Sequence, residues 1–349
     1  MIKPTVIITG SLGLIGYETA LLYLSKGYSV VGIDNDMRAR MLHITTQYKT
    51  KLDYLRKNHP GYLHYRTDIT NQAKINEIFI RHRAAACVIH TAAQTSHDWS
   101  ASHPETDFRI NALGTCHLLR ATKEYIPRAV FIFTSTNKVY GDAVNALPFE
   151  TLGTRLDLPK QNTFHKGIPE TFTVDRSIHS PFGVSKLSAD LMVQEYGRYY
   201  GLRTGVFRLG VVTGGGQSGA LDQGFLAYFI GLIKAGKPIT VIGYGGRQVR
   251  DIIHAKDVAS AFWHFYRKPA GAAVYNMGGG RTNNASIREI IALIDKKFGS
   301  KTRTSLESKA RTGDHKWWIT DTSLFQSDYP RWQQAHTLPG ILEDLYNAS

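Results

Sequence analysis

Gly10-Ser11-Leu12-Gly13-Leu14-Ile15-Gly16 is a glycine-rich turn of the kind that cradles a pyrophosphate. It follows the apolar run Thr5–Thr9 and opens an amphipathic helical stretch at Leu14. Glycines permit the tight turn, and the free backbone N–H groups at a helix start attract anionic oxygens. Asp34 ends the next apolar run, where a carboxylate can accept hydrogen bonds from adenosine ribose hydroxyls. Its charge would repel a 2′-phosphate, so NAD is expected rather than NADP, although Arg38 lies near enough to matter and Asn35 stands between them. Asp68, followed by Ile69, ends the third run and could bind the adenine amino group; as plain structure it would cap the helix expected from Asn71. Ala92, Ala93 and Gln94 close the fourth run with small residues against which a cofactor can lie, and His90 reads as a packed strand residue. Asn111 falls in a helical pattern that Asn does not favour, and is expected to bridge backbone groups near the cofactor or to be solvated.

A second constellation is His179-Ser180-Pro181-Phe182-Gly183-Val184-Ser185-Lys186. Residues four apart on a helix share a face. A phenol at position 182 would be acidified by Lys186 into a general base for a sugar hydroxyl. Position 182 is phenylalanine, which keeps the ring and lacks the oxygen. Taken alone, a Phe on a helix reads as core packing.

The elements that must position these residues alternate along the first half of the chain. Strands are expected at Thr5–Thr9, Ser29–Ile33, Tyr62–Arg66, Ala86–His90, Ala129–Thr134 and Thr204–Arg208. Helices are expected at Leu14–Lys26, Asn71–Arg81, Asp107–Tyr125 and Pro181–Tyr200. Such alternation predicts an α/β fold with a parallel sheet covered on both faces. Gly141 to His179 interrupts the rhythm with a long polar stretch, and long loops inside compact domains tend to be functional or disordered. Beyond Arg208 the chain loosens into glycine-rich turns, with one clear late helix: Ser286 and Glu289 form a capping box ahead of an Ile-rich stripe.

The 349 residues are 42% hydrophobic, enough for a substantial core. No apolar run approaches membrane-span length and no signal peptide opens the chain, so a cytoplasmic protein without stable membrane insertion is expected. The two cysteines, Cys87 and Cys116, are too few for a disulfide framework or a cysteine zinc site, and no metal is expected. The net charge of +14 raises nucleic acid as a partner. Lys and Arg are scattered, however, with Arg81-His82-Arg83 about the densest cluster, and no nucleic-acid signature appears. No nucleic-acid partner is expected; a positive surface suits substrates and cofactors that carry diphosphates.

Together these residues make the chain similar to the extended short-chain dehydrogenase/reductase superfamily over nearly its whole length. Within it the chain most resembles the CDP-paratose 2-epimerase (CDP-tyvelose 2-epimerase) branch. Three segments carry that likeness: Thr134-Ser135-Thr136-Asn137-Lys138-Val139-Tyr140-Gly141-Asp142, the insertion leading into His179-Ser180-Pro181, and Leu221-Asp222-Gln223-Gly224 with Gly246-Arg247-Gln248-Val249-Arg250-Asp251. The resemblance implies a Rossmann-type doubly wound parallel sheet over 1–208, with part of 251–276 returning to it. A smaller, intertwined C-terminal region, 209–349, would bind a nucleotide sugar, CDP-sugar being favoured.

It also implies a tightly held NAD, reduced and reoxidised within one turnover, and inversion at carbon 2 through a 2-keto sugar. Thr136 matches the hydroxyl that polarises the reacting oxygen, Ser135 is its neighbour, Lys186 matches the lysine on the nicotinamide ribose, and Phe182 stands at the position of the usual catalytic Tyr. Arg250 and Arg311 match positions that grip the diphosphate, while Arg247, Gln223, Asn137 and Lys138 are further substrate candidates. Lys186, Lys138, Thr136 or a water could replace the phenol as base; Phe182 could equally be an engineered change, or mark lost chemistry. Another epimerase, a dehydratase or an oxidoreductase on a nucleotide sugar is the nearest alternative, although Asn137-Lys138 match poorly the acidic pair that dehydratases use. A protein that binds NAD and a nucleotide sugar without turnover is the alternative of a different class. Relatives commonly dimerise through the helices expected at Asp107–Tyr125 and Pro181–Tyr200, so a homodimer is implied.

Overall fold

A computed structural model describes residues 3–42, 44–217, 219, 224–310 and 313–348, Leu42 by its backbone alone. The chain divides into two units, one of residues 1–136, 181–208 and 255–275, the other of 137–180, 209–254 and 276–349.

The first unit opens with β1 (Thr5–Thr9), α1 (Leu14–Ser25) and β2 (Ser29–Ile33), then α2 (Met37–Leu42), α3 (Tyr48–Asn58), β3 (Tyr62–Tyr65), α4 (Gln72–Arg81) and β4 (Ala85–His90). It continues through α5 (His97–Ser102), α6 (Pro104–Phe108), a π-helical turn (Arg109–Leu113), α7 (Gly114–Tyr125) and β5 (Val130–Thr136). In the other unit β6 (Glu150–Leu152) and β7 (Arg155–Asp157) pair as an antiparallel hairpin. The first unit resumes at α8 (Pro181–Arg198) and β8 (Arg203–Leu209). The second contains β9 (Val211–Thr213), α9 (Phe225–Lys234), β10 (Ile239–Ile242) and β11 (Val249–His254). After α10 (Ala255–Arg267) and β12 (Ala273–Met277), it ends with β13 (Asn284–Ser286), α11 (Ile287–Phe298), β14 (Thr304–Glu307), β15 (Trp317–Trp318), α12 (Ser323–Asp328) and α13 (Leu338–Ala348).

The central sheet has the strand order β12-β8-β5-β4-β1-β2-β3. β1 pairs in parallel with β2 and β4, β2 with β3, and β4 with β5. Val6, Ile7 and Ile8 are wholly buried, as is most of β5, which explains their near-continuous apolar sequence: both faces of the sheet are covered. On one side Ile7, Val88, Phe131 and Val206 pack with Ile75, Phe79, Leu118 and Val193. The order reverses between β1 and β4, and the turns leaving those two strands at their carboxyl ends are residues 10–16 and 91–94.

The helix expected over Asp107–Tyr125 is broken into α6, the π turn and α7. Asn111 lies in the π turn, and its side-chain amide bonds the backbone of Gln94 instead of facing solvent. α11 carries its capping box as the sequence reads: Ser286 Oγ accepts from the Glu289 N–H, and Glu289 accepts from the Ser286 N–H.

The division does not follow the sequence split at residue 208, because 137–180 groups with the second unit. Its backbone finds partners there: the Leu156 N–H donates to Arg247 O at 2.9 Å, and the Ile168 N–H to Ile319 O at 2.7 Å. Arg281 holds Asp157 at 2.8 Å. The second unit has its own core, in which Leu226, Ile230, Val241, Ile252, Ile290 and Ile341 meet.

One buried network ties α8 to the sheet. Asp190 accepts hydrogen bonds from Arg208 Nε at 2.9 Å, Arg208 Nη2 at 3.1 Å, Ser135 Oγ at 2.6 Å and Gln194 Nε2 at 2.6 Å. Asp190→Ala would leave a buried guanidinium without its counterion, and should lower the unfolding free energy by about 3–5 kcal/mol in urea denaturation. Asp190→Leu combined with Arg208→Met should cost clearly less than Asp190→Ala. Equal losses in the two variants would show that burial of unpaired charge is not the cause.

Candidate active site

The turn after β1 is shaped by close backbone approach. Gly10 has φ +66°, and a Cβ there would lie 2.7 Å from Ala92 N. A Cβ on Gly16 would lie 2.1 Å from Gly10 O, so α1 meets the turn only because residue 16 is glycine. Gly13 precedes α1 without a side-chain cap, which leaves N–H groups of the first turn to whatever anion arrives. Asp34 lies at the edge of this turn, where its carboxylate accepts from Leu12 N at 3.0 Å and Asp36 N at 3.0 Å. Burial raises its pKa, and these N–H donors oppose the rise. Asn35 donates to Asp68 at 3.0 Å, and Asp68 also accepts from the Thr70 N–H and hydroxyl. The cap of α4 is Asn71, not Asp68. Arg38 is half-buried beside them and Ile69 buried.

Ala92 and Ala93 are half-buried and Gln94 is buried. His90 is packed: its ring bonds Thr9 at 2.7 Å and Thr115 at 3.0 Å, and burial, helped by the Lys186 charge, holds it neutral. Asn111 Oδ1 accepts from Gln94 N at 2.9 Å, and Nδ2 reaches Gln94 O, Asp107 and Ser185, each at 3.1 Å. Sequence reading missed Asp107. It is buried, it accepts from Gln94, Asn111 and Ser185, and burial raises its pKa against the hydrogen bonds that oppose it. Its position in a helix first turn carried no signal of this network.

α8 presents Phe182, Ser185, Lys186 and Asp190 inward. The Phe182 N–H donates to Ser100 Oγ at 3.2 Å, and its ring is 8% exposed, too little for a surface residue and more than the sheet core shows. Lys186 Nζ donates to Thr134 O at 2.7 Å and lies 4.2 Å above the Phe133 ring. Burial pushes its pKa down to about 7, against the pull of Asp190 and Asp107. An amine near neutrality can take up and release a proton, as a lysine at its ordinary value cannot. The Ser135 hydroxyl donates to Asp190, which makes Ser135 an anchor of α8. Thr136, one residue on, is half-buried at the end of β5.

In the second unit three charges converge. Arg250 Nη2 meets Asp314 Oδ1 at 2.6 Å, and Lys138 Nζ lies 3.7 Å from the same oxygen and donates to Gly313 O at 3.0 Å. Burial would raise the Asp314 pKa, but Arg250 and Lys138 together hold it well below the carboxylate range. Burial lowers Lys138 to about 8, with Asp314 opposing. Arg247 instead donates to Gly153 O at 3.2 Å, toward the β6–β7 turn. Asn137 is buried. Gln223 and Arg311 lie outside the described residues. Asp314, which organises the cluster, carries no signal of this role in the sequence. Trp317 and Trp318 are buried, and His254 bonds Asp344 at 2.9 Å.

A glycine turn on a parallel sheet, a ribose-side carboxylate and an inward lysine define a dinucleotide-dependent enzyme. Residues 6–278 match the NAD dependent epimerase/dehydratase family, and the chain belongs to it. It is 33% identical over 297 residues to CDP-paratose 2-epimerase of Salmonella typhi, covering 83% of each chain. To UDP-glucuronate 4-epimerase of Thermodesulfobacterium geofontis it is 30% identical, covering 85% of this chain and 81% of that one. Among solved structures, UDP-glucose 4-epimerase of Thermotoga maritima has the same fold, with TM-score 0.80, 24% identity and 99% and 98% coverage. The chain is an NAD-dependent enzyme of this family, as the sequence reading expects, and the glycine turn and Asp34 fit that cofactor. Among the described residues no helix is long and apolar enough to cross a membrane, and no cluster of His, Cys, Asp or Glu is placed to hold a metal.

Lys186 gives a pH signature independent of turnover. Its folded pKa of about 7 lies below the unfolded value of 10.5, so between these pH values the unfolded chain binds the extra proton and stability rises with pH. The contribution approaches about 1.4 kcal/mol per pH unit. In cofactor-free protein, Lys186→Met should flatten the urea-derived stability profile across that window; an unchanged slope would refute the shifted lysine.

Proposed function

We propose that the protein is a nucleotide-sugar epimerase that inverts carbon 2 of a CDP-linked deoxysugar. The observation that carries this reading is Asn137-Lys138 after Thr136, at the end of β5. A dehydratase needs an acid and a base at those two positions; an amide and a cation provide neither a carboxylic acid nor a carboxylate. The likeness to a CDP-paratose 2-epimerase supports the choice of carbon and nucleotide.

NAD, when bound, supplies the oxidant that removes hydride from carbon 2 and the reductant that returns it to the other face. We assign the pyrophosphate to Gly10–Gly16 with Leu14 and Ile15, the adenosine side to Asp34, Asn35, Arg38, Asp68 and Ile69, and the remaining wall to Ala92, Ala93, Gln94 and Asn111. Thr136 polarises the reacting oxygen. Lys186 accepts the hydroxyl proton that a phenol at position 182 would otherwise take; its lowered pKa supports this role. Arg250 grips the sugar-nucleotide diphosphate, with Lys138 adding charge, and Asp314 neutralises the pair until the anion arrives. Arg247, Gln223 and Arg311 complete the substrate candidates.

Purified protein given CDP-, UDP-, GDP- and dTDP-sugars should form an epimer, seen by NMR, with the CDP-sugar only. Substrate deuterated at carbon 2 should keep its label. Washout of deuterium into solvent would sink the hydride route, and turnover of UDP-sugars alone would sink the nucleotide assignment. Lys186→Met should lower kcat by roughly a hundredfold or more, the ordinary loss for a positioned base, and Phe182→Tyr should restore part of it.

The assembly proposed is a homodimer. Phe108, Leu113, Val184, Leu191 and Tyr199 are exposed by 44% or more on α6, the π turn, α8 and the residue after it. Such apolar exposure favours self-association. Light scattering should give twice the chain mass, and Val184→Glu with Leu191→Glu should give the monomer; a monomeric wild type would refute the dimer.

A further inference from the structure

The first unit carries a second concave feature that the epimerase reading does not use. A basin of about 670 Å³ lies where the amino ends of β4, β5 and β8 come together, lined by Ala85, Val130 and Arg203 among others. The glycine turn and Asp34 belong to the carboxyl ends of strands, so this basin is a different place on the sheet. Four arginines line it, Arg83, Arg128, Arg203 and Arg267, together with Tyr28, Tyr125 and Tyr266; the Arg267 guanidinium also lies 5.7 Å over the Trp263 ring. No carboxylate is among the lining residues.

Of the acids on the adjoining helices, Glu77 pairs with Lys74 at 2.8 Å and Arg81 at 3.7 Å, while Glu124 pairs with Arg120 at 3.9 Å and hydrogen-bonds Tyr125 at the rim. Arg83, Arg128 and Arg203 form no ion pair among the described residues, and all four arginines are exposed. Like charges gathered in one concavity repel, and a bound anion relieves that repulsion while meeting planar donors suited to phosphate oxygens. The volume falls within the roughly 300–1,000 Å³ typical of small-ligand sites.

We propose that this basin binds a nucleoside polyphosphate, with phosphates on the arginines and the base against Tyr28 or Tyr125. Arg83, which the sequence shows only as part of a basic cluster, then contributes to a site. The reading does not depend on which sugar the enzyme epimerises.

Calorimetric titration of ATP into the full-length protein saturated with NAD tests it. Saturable binding that inorganic pyrophosphate competes away and that weakens with added salt is expected. Arg83→Gln with Arg128→Gln, and separately Arg83→Glu with Arg203→Glu, should raise Kd by about tenfold or more, as expected for lost charge-assisted hydrogen bonds. Thermal melting identifies any variant that fails to fold, and the milder pair then decides. Arg250→Ala should leave the binding intact. Absence of saturable binding would overturn the proposal, as would binding that survives both pairs but disappears in Arg250→Ala. Co-sedimentation with phosphatidylserine vesicles without ATP binding would also overturn it, because the arginines would then serve a membrane surface.

Discussion

The buried carboxylate of Asp190 fixes the helix that carries Phe182 and Lys186. Arg208 on β8, Ser135 on β5 and Gln194 on α8 itself all donate to it. Positions 182, 186 and 190 lie on one face of α8, spaced by single turns. Setting the rotation of α8 at Asp190 therefore aims Lys186 and Phe182 as well. Rotation by one residue would swing that face about 100° away. A buried ion pair is poor evidence for extra stability, but an uncompensated member of it is costly, and that cost is what discourages other rotations of the helix.

The same immobility explains the chemistry available to Lys186. Its ammonium is removed from water, and it meets a carbonyl oxygen and the face of Phe133. Neither neutralises a full charge, and Asp107 and Asp190 act on it without closing an ion pair among the described residues. Burial dominates, so the amine sits near neutrality. In an enzyme with a tyrosine at position 182 such a lysine would serve the phenol. With Phe182 it has no phenol there to serve, which is why we propose the amine itself as the proton acceptor. The second unit follows the opposite design. There Lys138 and Arg250 share Asp314, and the carboxylate stays ionised between two cations.

Much of this was legible in the sequence because it rests on local rules. Glycines at 10, 13 and 16 followed by an apolar helix, and an Asp after the second strand, need only periodicity and sterics to be read. The capping box of α11 is equally local. What escaped depends on contacts between distant positions. Asp107 gains its role from Gln94 and Ser185, and Asp190 from a strand that follows it and one that precedes it. The π turn at Asn111 could not be read either, because a helix interior has no sequence code for an extra residue. Segment 137–180 grouped with the second unit because its backbone polar groups find their partners there, which no local pattern encodes.

The charge of the chain is best understood by where it is balanced and where it is not. At the carboxyl ends of β2 and β3, Asp34 and Asp68 are woven into hydrogen bonds with backbone N–H groups, Asn35 and Thr70. In the second unit, Arg250 is matched by Asp314, and Arg281 by Asp157. The amino ends of the central strands show no such matching, and their arginines face a concavity. With 42 Lys and Arg against 28 Asp and Glu, some cations must stay unmatched, and four of them gather at that basin. It is that gathered part of the positive charge, not the scattered remainder, that the proposed ligand would meet.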